Sequence, residues 1–461
     1  MIAWNWADTV VAPLNAAGTG AVTLVRISGP ATRQVMAGLC PVWKGGGQSF
    51  PKVRQAVLCR IMDGVQVLDQ GMCTWFEGPA SYTGEDMAEF GLHASPFVVN
   101  RFLALCTDQP GVRMAQPGEF TWRAFANGKM DLSRAEAVAD LIAAENPLAH
   151  RLAMNQLEGG FARKISALRE RMTEFAALLE LELDFSQEDV EFADRTALND
   201  LVLSVQTQVV SLRDSFAAGE VIRKGVPTVL AGRPNAGKSS LLNALLQEDR
   251  ALVSDQPGTT RDTIEEPCVI DGITFRLMDT AGLRESADAV EQMGVERTRN
   301  KLAHAGLVLM VAGADEKPDE AWINLMSLAG EQSKVLVVLN KIDLPVSMGH
   351  RSEWLQRFPD LVEISVQAGL GMDLLRQRMR SLVDLGRLAG DFVAVNARQR
   401  QALDEAATTL DSILLGLNDN LGTELLAEEM RAVLRSLAEL TGDIVADDLL
   451  GTIFSKFCIG K

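Results

Sequence analysis

The stretch Gly232-Arg233-Pro234-Asn235-Ala236-Gly237-Lys238-Ser239 decides the fold of the central part of this chain. It fits the pattern G-x-x-x-x-G-K-[ST], with an apolar run from Val226 to Leu230 before it and a helix-like stretch from Ser240 to Leu246 after it. In that context the glycines let backbone N–H groups point at phosphate oxygens, Lys238 adds a positive charge, and the Ser239 hydroxyl can bind Mg²⁺. The stretch therefore predicts a phosphate-binding loop in an α/β domain.

Two motifs that follow the phosphate-binding loop predict a metal and γ-phosphate site. Asp279-Thr280-Ala281-Gly282 ends an apolar run from Thr274 to Met278. An acid at the end of a strand can hold Mg²⁺ through water, and the glycine amide can contact the γ-phosphate. Upstream of it, Gly258-Thr259-Thr260-Arg261-Asp262 supplies a threonine that can join the metal shell.

Two later motifs predict that the base is guanine. Asn340-Lys341-Ile342-Asp343 follows the apolar run from Val335 to Leu339, and the Asp343 carboxylate can accept two hydrogen bonds that guanine offers and adenine does not. Ser365-Val366-Gln367 comes later, where a backbone N–H can meet the guanine carbonyl. Each motif alone is also compatible with a solvated turn. The ordered set predicts that the nucleotide is GTP.

Composition limits the class of protein. A chain of 461 residues is long enough for about three domains. No apolar run reaches the roughly 18 residues of a membrane helix, and the first residues lack the features of a signal or transit peptide. Scattered cysteines without a C-x-x-C pair indicate reduced thiols in a cytosolic protein. The four histidines are not spaced like metal ligands.

The net charge of −17 argues against tight, sequence-independent binding of nucleic acid by the whole surface. A local basic patch could still contact RNA, and Arg163-Lys164 with Arg169 and Arg171 is one candidate. A solvated helix face is the better explanation of the same four residues.

Residue patterns divide the chain into four stretches. Residues 1–125 mix short β-rich runs, such as Ala21 to Ile27 and Gly71 to Phe76, with turns and helices, an α+β pattern. Residues 126–224 are helical, 225–383 alternate strands and helices, and 384–461 are helical again. The sequence therefore predicts a multidomain α/β and α protein, in which a P-loop GTPase domain is inserted into an all-helical domain and preceded by an α+β domain.

The catalytic machinery departs from that of Ras-like GTPases. Leu283 stands where those proteins carry the glutamine that orients the attacking water. Glu285, Asp288 and Glu291 are carboxylates that could replace it, and the residues alone do not choose among them. Asn235 could use its side-chain oxygen to hold a monovalent cation beside the β- and γ-phosphates. It could equally only cap or shape the loop.

Motifs far outside the GTPase segment resemble one family. The GTPase motifs, together with the C-terminal stretch Asp447 to Lys461, are similar to those of the tRNA modification GTPases of the MnmE family, also called TrmE. The N-terminal part resembles the same family in Val25 to Gly29, Ser81 to Asp86, Gln116 to Phe120 and Gly128 to Leu132. The resemblance covers essentially the whole chain.

The resemblance implies a folate-binding and dimerising N-terminal domain, a helical domain and an inserted GTPase that dimerises on GTP. It implies a homodimer that joins an FAD-dependent partner of the MnmG type in a heterotetramer and acts on tRNA. The reaction that the resemblance implies installs an aminomethyl or carboxymethylaminomethyl group at carbon 5 of the wobble uridine. A 5-formyl or methylene tetrahydrofolate would supply the one-carbon unit.

The resemblance also assigns residues. By this resemblance, the folate contacts are Arg26, Glu89, Lys129 and Lys461, the K⁺ site is Asn235, Ser254, Gln256 and Thr259, and the Mg²⁺ site is Ser239 and Thr260. Glu291 matches the carboxylate that orients the water; Lys238 and Arg284 complete the catalytic set, and the part of Arg284 is the least defined. The expected nucleotide contacts are Asn235, Ala236, Gly237, Lys238, Ser239, Ser240, Ser254, Asp255, Gln256, Pro257, Gly258, Thr259, Thr260, Asp279, Thr280, Ala281, Gly282, Asn340, Lys341, Asp343, Ser365, Val366 and Gln367.

The chain departs from the family pattern at a few positions. His93-Ala94-Ser95 replaces His-Gly-Gly after the folate-site acid, and Gln256-Pro257 stands before Gly258. Cys458, near the C-terminus, could contact folate or be a buried thiol. The competing hypothesis is an Era-like ribosome-assembly GTPase, which predicts a basic RNA-binding domain after the GTPase.

Overall fold

The structure is a computed structural model of the chain. It describes residues 8–15, 18, 20–41, 50–184, 194–249, 265–279, 302, 305–330, 333–344, 348–383, 393–419, 421–444, 447–454, 457 and 460. The chain forms two compact units. The first unit contains Met1–Ile142, Met154–Val210 and Gln401–Lys461, and the second contains Ala143–Ala153 and Ser211–Arg400.

The first unit begins with a six-stranded sheet in the order β3-β4-β5-β2-β1-β6. Its strand pairs are antiparallel except β1 with β6, which are parallel. Buried apolar residues on one face of the sheet pack against the first two helices. The elements are β1 Thr9–Pro13, β2 Val22–Ser28, α1 Thr32–Leu39, β3 Ala56–Asp63, β4 Gln66–Phe76, β5 Met87–His93, α2 Pro96–Thr107, β6 Val112–Met114 and α3 Glu119–Ala126.

Long amphipathic helices complete the first unit. The buried residues of helix α6 (Gly160–Asp184) recur at helical spacing, as in Phe161, Ile165, Leu168 and Met172, because one stripe of the helix faces the core. Helix α13 (Thr423–Thr441) packs against α6 with a matching stripe. The helices are α4 Leu132–Ile142, α5 Pro147–Leu157, α6 Gly160–Asp184, α7 Arg195–Lys224, α12 Ala397–Asn418, α13 Thr423–Thr441 and α14 Asp447–Phe454; α5, α7 and α12 carry residues of both units.

The second unit contains a six-stranded sheet in the order β12-β11-β10-β7-β9-β8. Its pairs are parallel except β8 with β9. Its central strands are rich in apolar residues, since buried clusters cover both faces. The elements are β7 Val226–Ala231, α8 Lys238–Asp249, β8 Glu266–Ile270, β9 Ile273–Asp279, β10 Leu307–Gly313, α9 Glu320–Met326, β11 Lys334–Asn340, α10 Met348–Arg357, β12 Val362–Glu363 and α11 Met372–Leu382.

The expected strands of the GTPase segment and the expected helices before it are confirmed by these elements. The apolar runs before the phosphate-binding loop, before Asp279 and before Asn340 are strands, and helices form most of residues 132–184 and all of residues 195–224. Five cysteines are buried and form no disulfide among the described residues, namely Cys40, Cys59, Cys73, Cys106 and Cys268. The described part of the chain holds no cluster of three or more metal-ligating side chains. Within the same residues, no helix is both long and apolar enough to span a membrane.

Candidate nucleotide-binding site

The loop between β7 and α8 turns sharply because three of its residues have positive φ angles. These angles are 147° at Gly232, 65° at Asn235 and 96° at Gly237. A Cβ atom at Gly232 would collide with the carbonyl oxygen of Val311, and a Cβ atom at Gly237 would collide with the side-chain nitrogen Nδ2 of Asn340. Glycine is therefore required at both ends of the loop, and asparagine is among the few other residues that adopt the left-handed conformation readily.

Lys238 begins α8 and reaches back over this loop. Its Nζ donates hydrogen bonds to the carbonyl oxygens of Gly232 at 2.9 Å and Arg233 at 2.8 Å. The residue is only 7% exposed. An ammonium group held on two carbonyls at a helix N-terminus is placed to meet phosphate oxygens, because the loop amides and the helix dipole favour an anion at the same point.

Asn340 joins the phosphate-binding loop to the loop that follows β12. Its Nδ2 donates to the carbonyl oxygen of Ala236 at 3.0 Å, and its Oδ1 accepts the N–H of Val366 at 3.2 Å. The residue is 3% exposed. Both ends of one buried amide therefore fix the distance between two loops that are far apart in sequence.

A cavity of about 1040 Å³ opens between these loops. Its walls contain residues of the phosphate-binding loop, of the motif Asn340–Asp343 and of the motif Ser365–Gln367. These are the three predicted motifs whose residues the structure describes throughout. The lining residues are Pro234, Asn235, Gly237, Lys238, Ser239, Ser240, Asn340, Lys341, Asp343, Leu344, Ser365, Val366 and Gln367. Sequence reasoning missed Pro234 and Leu344. Leu344 could have been predicted as a lining residue, because it is an apolar side chain directly after Asp343, the predicted base contact.

The far end of the cavity carries the predicted base contacts. Asp343 and Gln367 are exposed, whereas Ser365 is buried and its Oγ accepts the N–H of Ala368 at 3.0 Å. Lys341 has a φ of 67° and its Nζ lies 3.6 Å from Oδ2 of Asp315. The arrangement leaves an acceptor, the Asp343 carboxylate, facing open space. Ala236 does not line the cavity, since its side chain is buried in the apolar core.

Acidic residues after β10 lie beside the phosphate-binding loop. Arg233 donates to Oδ1 of Asp319 at 2.6 Å, and this hydrogen bond lowers the pKa of the exposed Asp319 carboxyl. Burial raises the pKa of the Glu316 carboxyl, and the nearby Asp315 charge raises it further. Asp319 also caps α9 by accepting the N–H of Trp322. These contacts connect the loop to the start of α9.

Many predicted site residues lie outside the described part of the chain. For Asp279 the structure gives the backbone at the end of β9. The others are Ser254, Asp255, Gln256, Pro257, Gly258, Thr259, Thr260, Thr280, Ala281, Gly282, Leu283, Arg284, Glu285, Asp288, Glu291, Cys458 and Lys461.

A second group of predicted residues lies on the sheet of the first unit. Arg26 of β2 stands opposite Glu89 of β5, and its Nη2 donates to Oε1 of Glu89 at 2.7 Å. Its guanidinium carbon lies 4.8 Å from the ring centroid of Tyr82 and 5.3 Å from that of Phe120. Arg26 is 9% exposed, and its Nη1 is buried without a hydrogen-bond partner among the described residues.

Lys129, a predicted folate contact, is bound to the backbone of a neighbouring loop. Its Nζ donates to the carbonyl oxygen of Pro79 at 2.9 Å.

The turn after β5, where the chain departs from the family pattern, has a backbone conformation that residues other than glycine adopt. In the stretch His93-Ala94-Ser95, Ser95 has φ −76° and ψ 125° and precedes Pro96, the first residue of α2. Because this backbone needs no glycine, the departure from the family pattern costs no strain at Ser95.

The basic stretch on α6 makes contacts within the first unit. Arg163 donates to the carbonyl oxygen of Glu158, Arg169 pairs with Asp443, and Arg171 donates to Ser204 at 3.4 Å. These three arginines thus have protein partners, which favours the solvated helix face over an RNA-binding patch.

Two family models match the chain. The model described as the GTP-binding protein TrmE N-terminus matches residues 9–129, and the model of the MnmE helical domain matches residues 132–458. The tRNA modification GTPase MnmE of Cytophaga hutchinsonii is 42% identical over 463 residues, which cover 99% of this chain and 98% of that protein. The protein of the same name from Porphyromonas gingivalis is 39% identical and covers 98% of each chain.

Solved structures resemble the chain over a smaller part. The G domain of the FeoB iron transporter of T. maritima is 27% identical, with a TM-score of 0.25, and the match covers 34% of this chain and 98% of that domain. Era of Aquifex aeolicus, bound to GDP and AlF4⁻, is 24% identical with a TM-score of 0.29, over 40% of this chain and 66% of that protein. Scores this low do not establish a shared overall fold.

Proposed function

The chain belongs to the MnmE family of tRNA modification GTPases, and we propose that it hydrolyses GTP in order to modify the wobble uridine of certain tRNAs. With an FAD-dependent partner of the MnmG type, it adds an aminomethyl or carboxymethylaminomethyl group to carbon 5 of that base. The observation that carries the proposal is the cavity whose walls combine the phosphate-binding loop, the Asn340-Lys341-Ile342-Asp343 motif and the Ser365-Val366-Gln367 loop. The Era-like alternative has no comparable support, since the helical model extends to residue 458.

In this proposal, different residues of the cavity bind the phosphates and the base. Lys238 and the N–H groups at the start of α8 hold the β- and γ-phosphates, and Asn340 keeps the base-binding loops at a fixed distance from them. The Asp343 carboxylate accepts two hydrogen bonds from guanine. Leu344 and the aliphatic part of Lys341 flank the base.

Cations complete the phosphate site in this proposal. Ser239 with Thr260 would hold Mg²⁺, and Asn235 with Ser254, Gln256 and Thr259 would hold K⁺. When bound, these cations neutralise the charge that develops on the phosphates. Ser239 and Asn235 both line the cavity, and the positive φ of Asn235 fixes the direction of its backbone at the loop tip. Glu291 orients the attacking water. Arg284 belongs to the same catalytic set.

The N-terminal sheet is proposed to bind a 5-formyl or methylene tetrahydrofolate. The orphaned Nη1 of Arg26 and the Glu89 carboxylate beside it suit a ligand that carries both acceptors and donors, as the pterin ring and glutamate tail of folate do. Lys129 and Lys461 would add positive charge for the carboxylates.

The proposal includes the domain assignment and the partners. Residues 1–125 form the folate-binding and dimerisation domain, 225–383 form the GTPase domain, and 126–224 with 384–461 form the helical domain into which the GTPase is inserted. The protein acts in the cytoplasm as a homodimer, and as a heterotetramer with its FAD-dependent partner.

Loss of the protein is expected to remove the modified wobble uridine. Mass spectrometry of tRNA nucleosides from a strain lacking this chain should show unmodified or incompletely modified uridine, and the wild-type gene should restore the modification. A Lys238→Ala gene is the matched control, because it removes the phosphate contact and should not restore it. Unchanged nucleosides in the deletion strain would contradict the proposed function.

Arg26→Ala and deletion of Lys461 are each expected to weaken folate binding at least about tenfold, since each removes a charge-assisted contact worth about 1.5–3 kcal/mol. Calorimetry with 5-formyltetrahydrofolate measures the affinity. GTP affinity should not change, because both residues belong to the first unit. Arg33→Ala, on an arginine whose guanidinium lies 4.8 Å from the Phe50 ring, is the control. Wild-type folate affinity in both test variants would refute the site.

A further inference from the structure

One buried asparagine joins three elements of the second unit. Asn146 precedes α5, and its Oδ1 accepts the N–H of Ala149 at 2.8 Å, as an N-cap residue does. Its Nδ2 donates to the carbonyl oxygen of Ile222, in α7, at 3.1 Å and to Oγ1 of Thr274, in β9, at 3.0 Å. Both N–H groups and the oxygen of the amide are therefore used. Asn146 is 6% exposed and Thr274 is 3% exposed.

The surroundings of this junction are closely packed. Gly225 has a φ of 74°, and a Cβ atom there would lie 2.7 Å from the carbonyl oxygen of Thr274. Gly272, in the turn between β8 and β9, has a φ of 82°, and its Cβ would lie 3.3 Å from Cγ of Leu148. The start of α5 is thus held against the start of β9 and against the turn before it.

The junction lies at one end of two parallel strands whose other ends reach the nucleotide site. In their register Val226 of β7 stands opposite Phe275 of β9, and Leu230 stands opposite Asp279. Just past Leu230 the chain enters the phosphate-binding loop, and Asp279 is the predicted Mg²⁺ acid. The register of β9 against β7 therefore sets how far along the strand direction Asp279 lies from that loop.

We propose that the hydrogen bond between Asn146 and Thr274 is a positioning contact for GTP hydrolysis. It fixes the start of β9 to α5 and α7, and through β9 it places Asp279 beside the phosphate-binding loop. The inference rests on the proposed GTPase function. GDP is held by the phosphate-binding loop and the base-binding loops, which Asn340 joins, so its affinity does not depend on β9. The γ-phosphate and its Mg²⁺ do depend on Asp279.

Thr274→Val removes this hydrogen bond and keeps the shape of the side chain. We expect kcat for GTP hydrolysis to fall about tenfold or more, because small misplacements of catalytic groups cost up to about 10²-fold in rate. The affinity for GDP should stay within about twofold of wild type. Thr274→Ser keeps the hydroxyl and should retain nearly full kcat. Thr228→Val is the matched control, since Thr228 is a fully buried threonine of β7 whose hydroxyl donates to the carbonyl oxygen of Val226.

A second variant tests the same contact from the other side. Asn146→Asp keeps the acceptor for Ala149 but sets a buried carboxylate oxygen against the carbonyl oxygen of Ile222, which cannot donate, so it should also lower kcat. Wild-type kcat in Thr274→Val, or a parallel loss of GDP affinity in it, would overturn the inference. If the wild-type protein itself did not hydrolyse GTP, the proposed function would fail instead, so the two failures are distinguishable.

Discussion

Asp343→Asn is expected to weaken GTP binding by about 2–4 kcal/mol, or roughly 30- to 1000-fold, and to give xanthosine triphosphate the advantage over GTP. A carboxylate that accepts two hydrogen bonds becomes an amide, which presents an N–H donor to a guanine donor. The structure supports a large effect, because Asp343 lines the cavity and its loop is tied to the phosphate-binding loop through Asn340. A changed base contact is therefore not relieved by a shift of the loop.

The affinities can be measured by titration with fluorescent analogues of GTP and XTP. Asp360→Asn, at an exposed acid outside the cavity lining, is the control and should bind GTP as the wild type does. A variant at Asp343 that still prefers GTP over XTP would show that this carboxylate does not select the base.

The GTPase core could be predicted from the sequence because its signals are local. The apolar run, the spaced glycines and Lys238 lie within about a dozen consecutive residues, and the predicted strand and helix are present on either side of the loop. The left-handed conformation at Asn235 belongs to the same local pattern. Physical rules on strands, glycine and helix N-termini suffice at this range.

The contacts that hold the site together could not be predicted, because they join distant parts of the chain. Asn340 was expected to help recognise the nucleotide, and the structure uses its amide to join two loops. Asn146 and Thr274 are 128 residues apart, and the helical pattern around Asn146 gives no sign that α5 begins against the second sheet. Arg26 and Glu89 face each other across two strands, and only the family resemblance pointed to them.

GTP hydrolysis is expected to be about 10³-fold faster in K⁺ than in Na⁺, comparable to the lower range of the effect of an arginine finger. Leu283 cannot position a water molecule, so positive charge and a carboxylate must come from elsewhere. The side chain of Asn235 is exposed and lines the cavity beside Lys238 and Ser239, where an oxygen ligand can hold a cation next to the phosphates. The smaller Na⁺ fits a loose cage of oxygen ligands poorly.

Removing the Asn235 carbonyl should abolish this preference for K⁺. The φ of 65° makes Asn235→Gly the better variant, since alanine would be strained at that angle and glycine is not. Asn235→Asp keeps an oxygen ligand and should keep the preference, and Asn243→Ala, at an exposed asparagine of α8, is the control. Phosphate release measured in both salts gives the ratio.

Glu291→Ala should lower kcat by about 10²-fold or more with little change in nucleotide affinity, because a group that orients the attacking water contributes mainly in the transition state. Steady-state hydrolysis and GDP titration measure the two quantities separately. Glu285→Ala and Asp288→Ala are matched controls, since they remove the other nearby carboxylates and should keep most of the rate. Equal rates in K⁺ and Na⁺ would show that a group other than K⁺ neutralises the developing charge. An active Glu291→Ala variant would show that a different residue orients the attacking water.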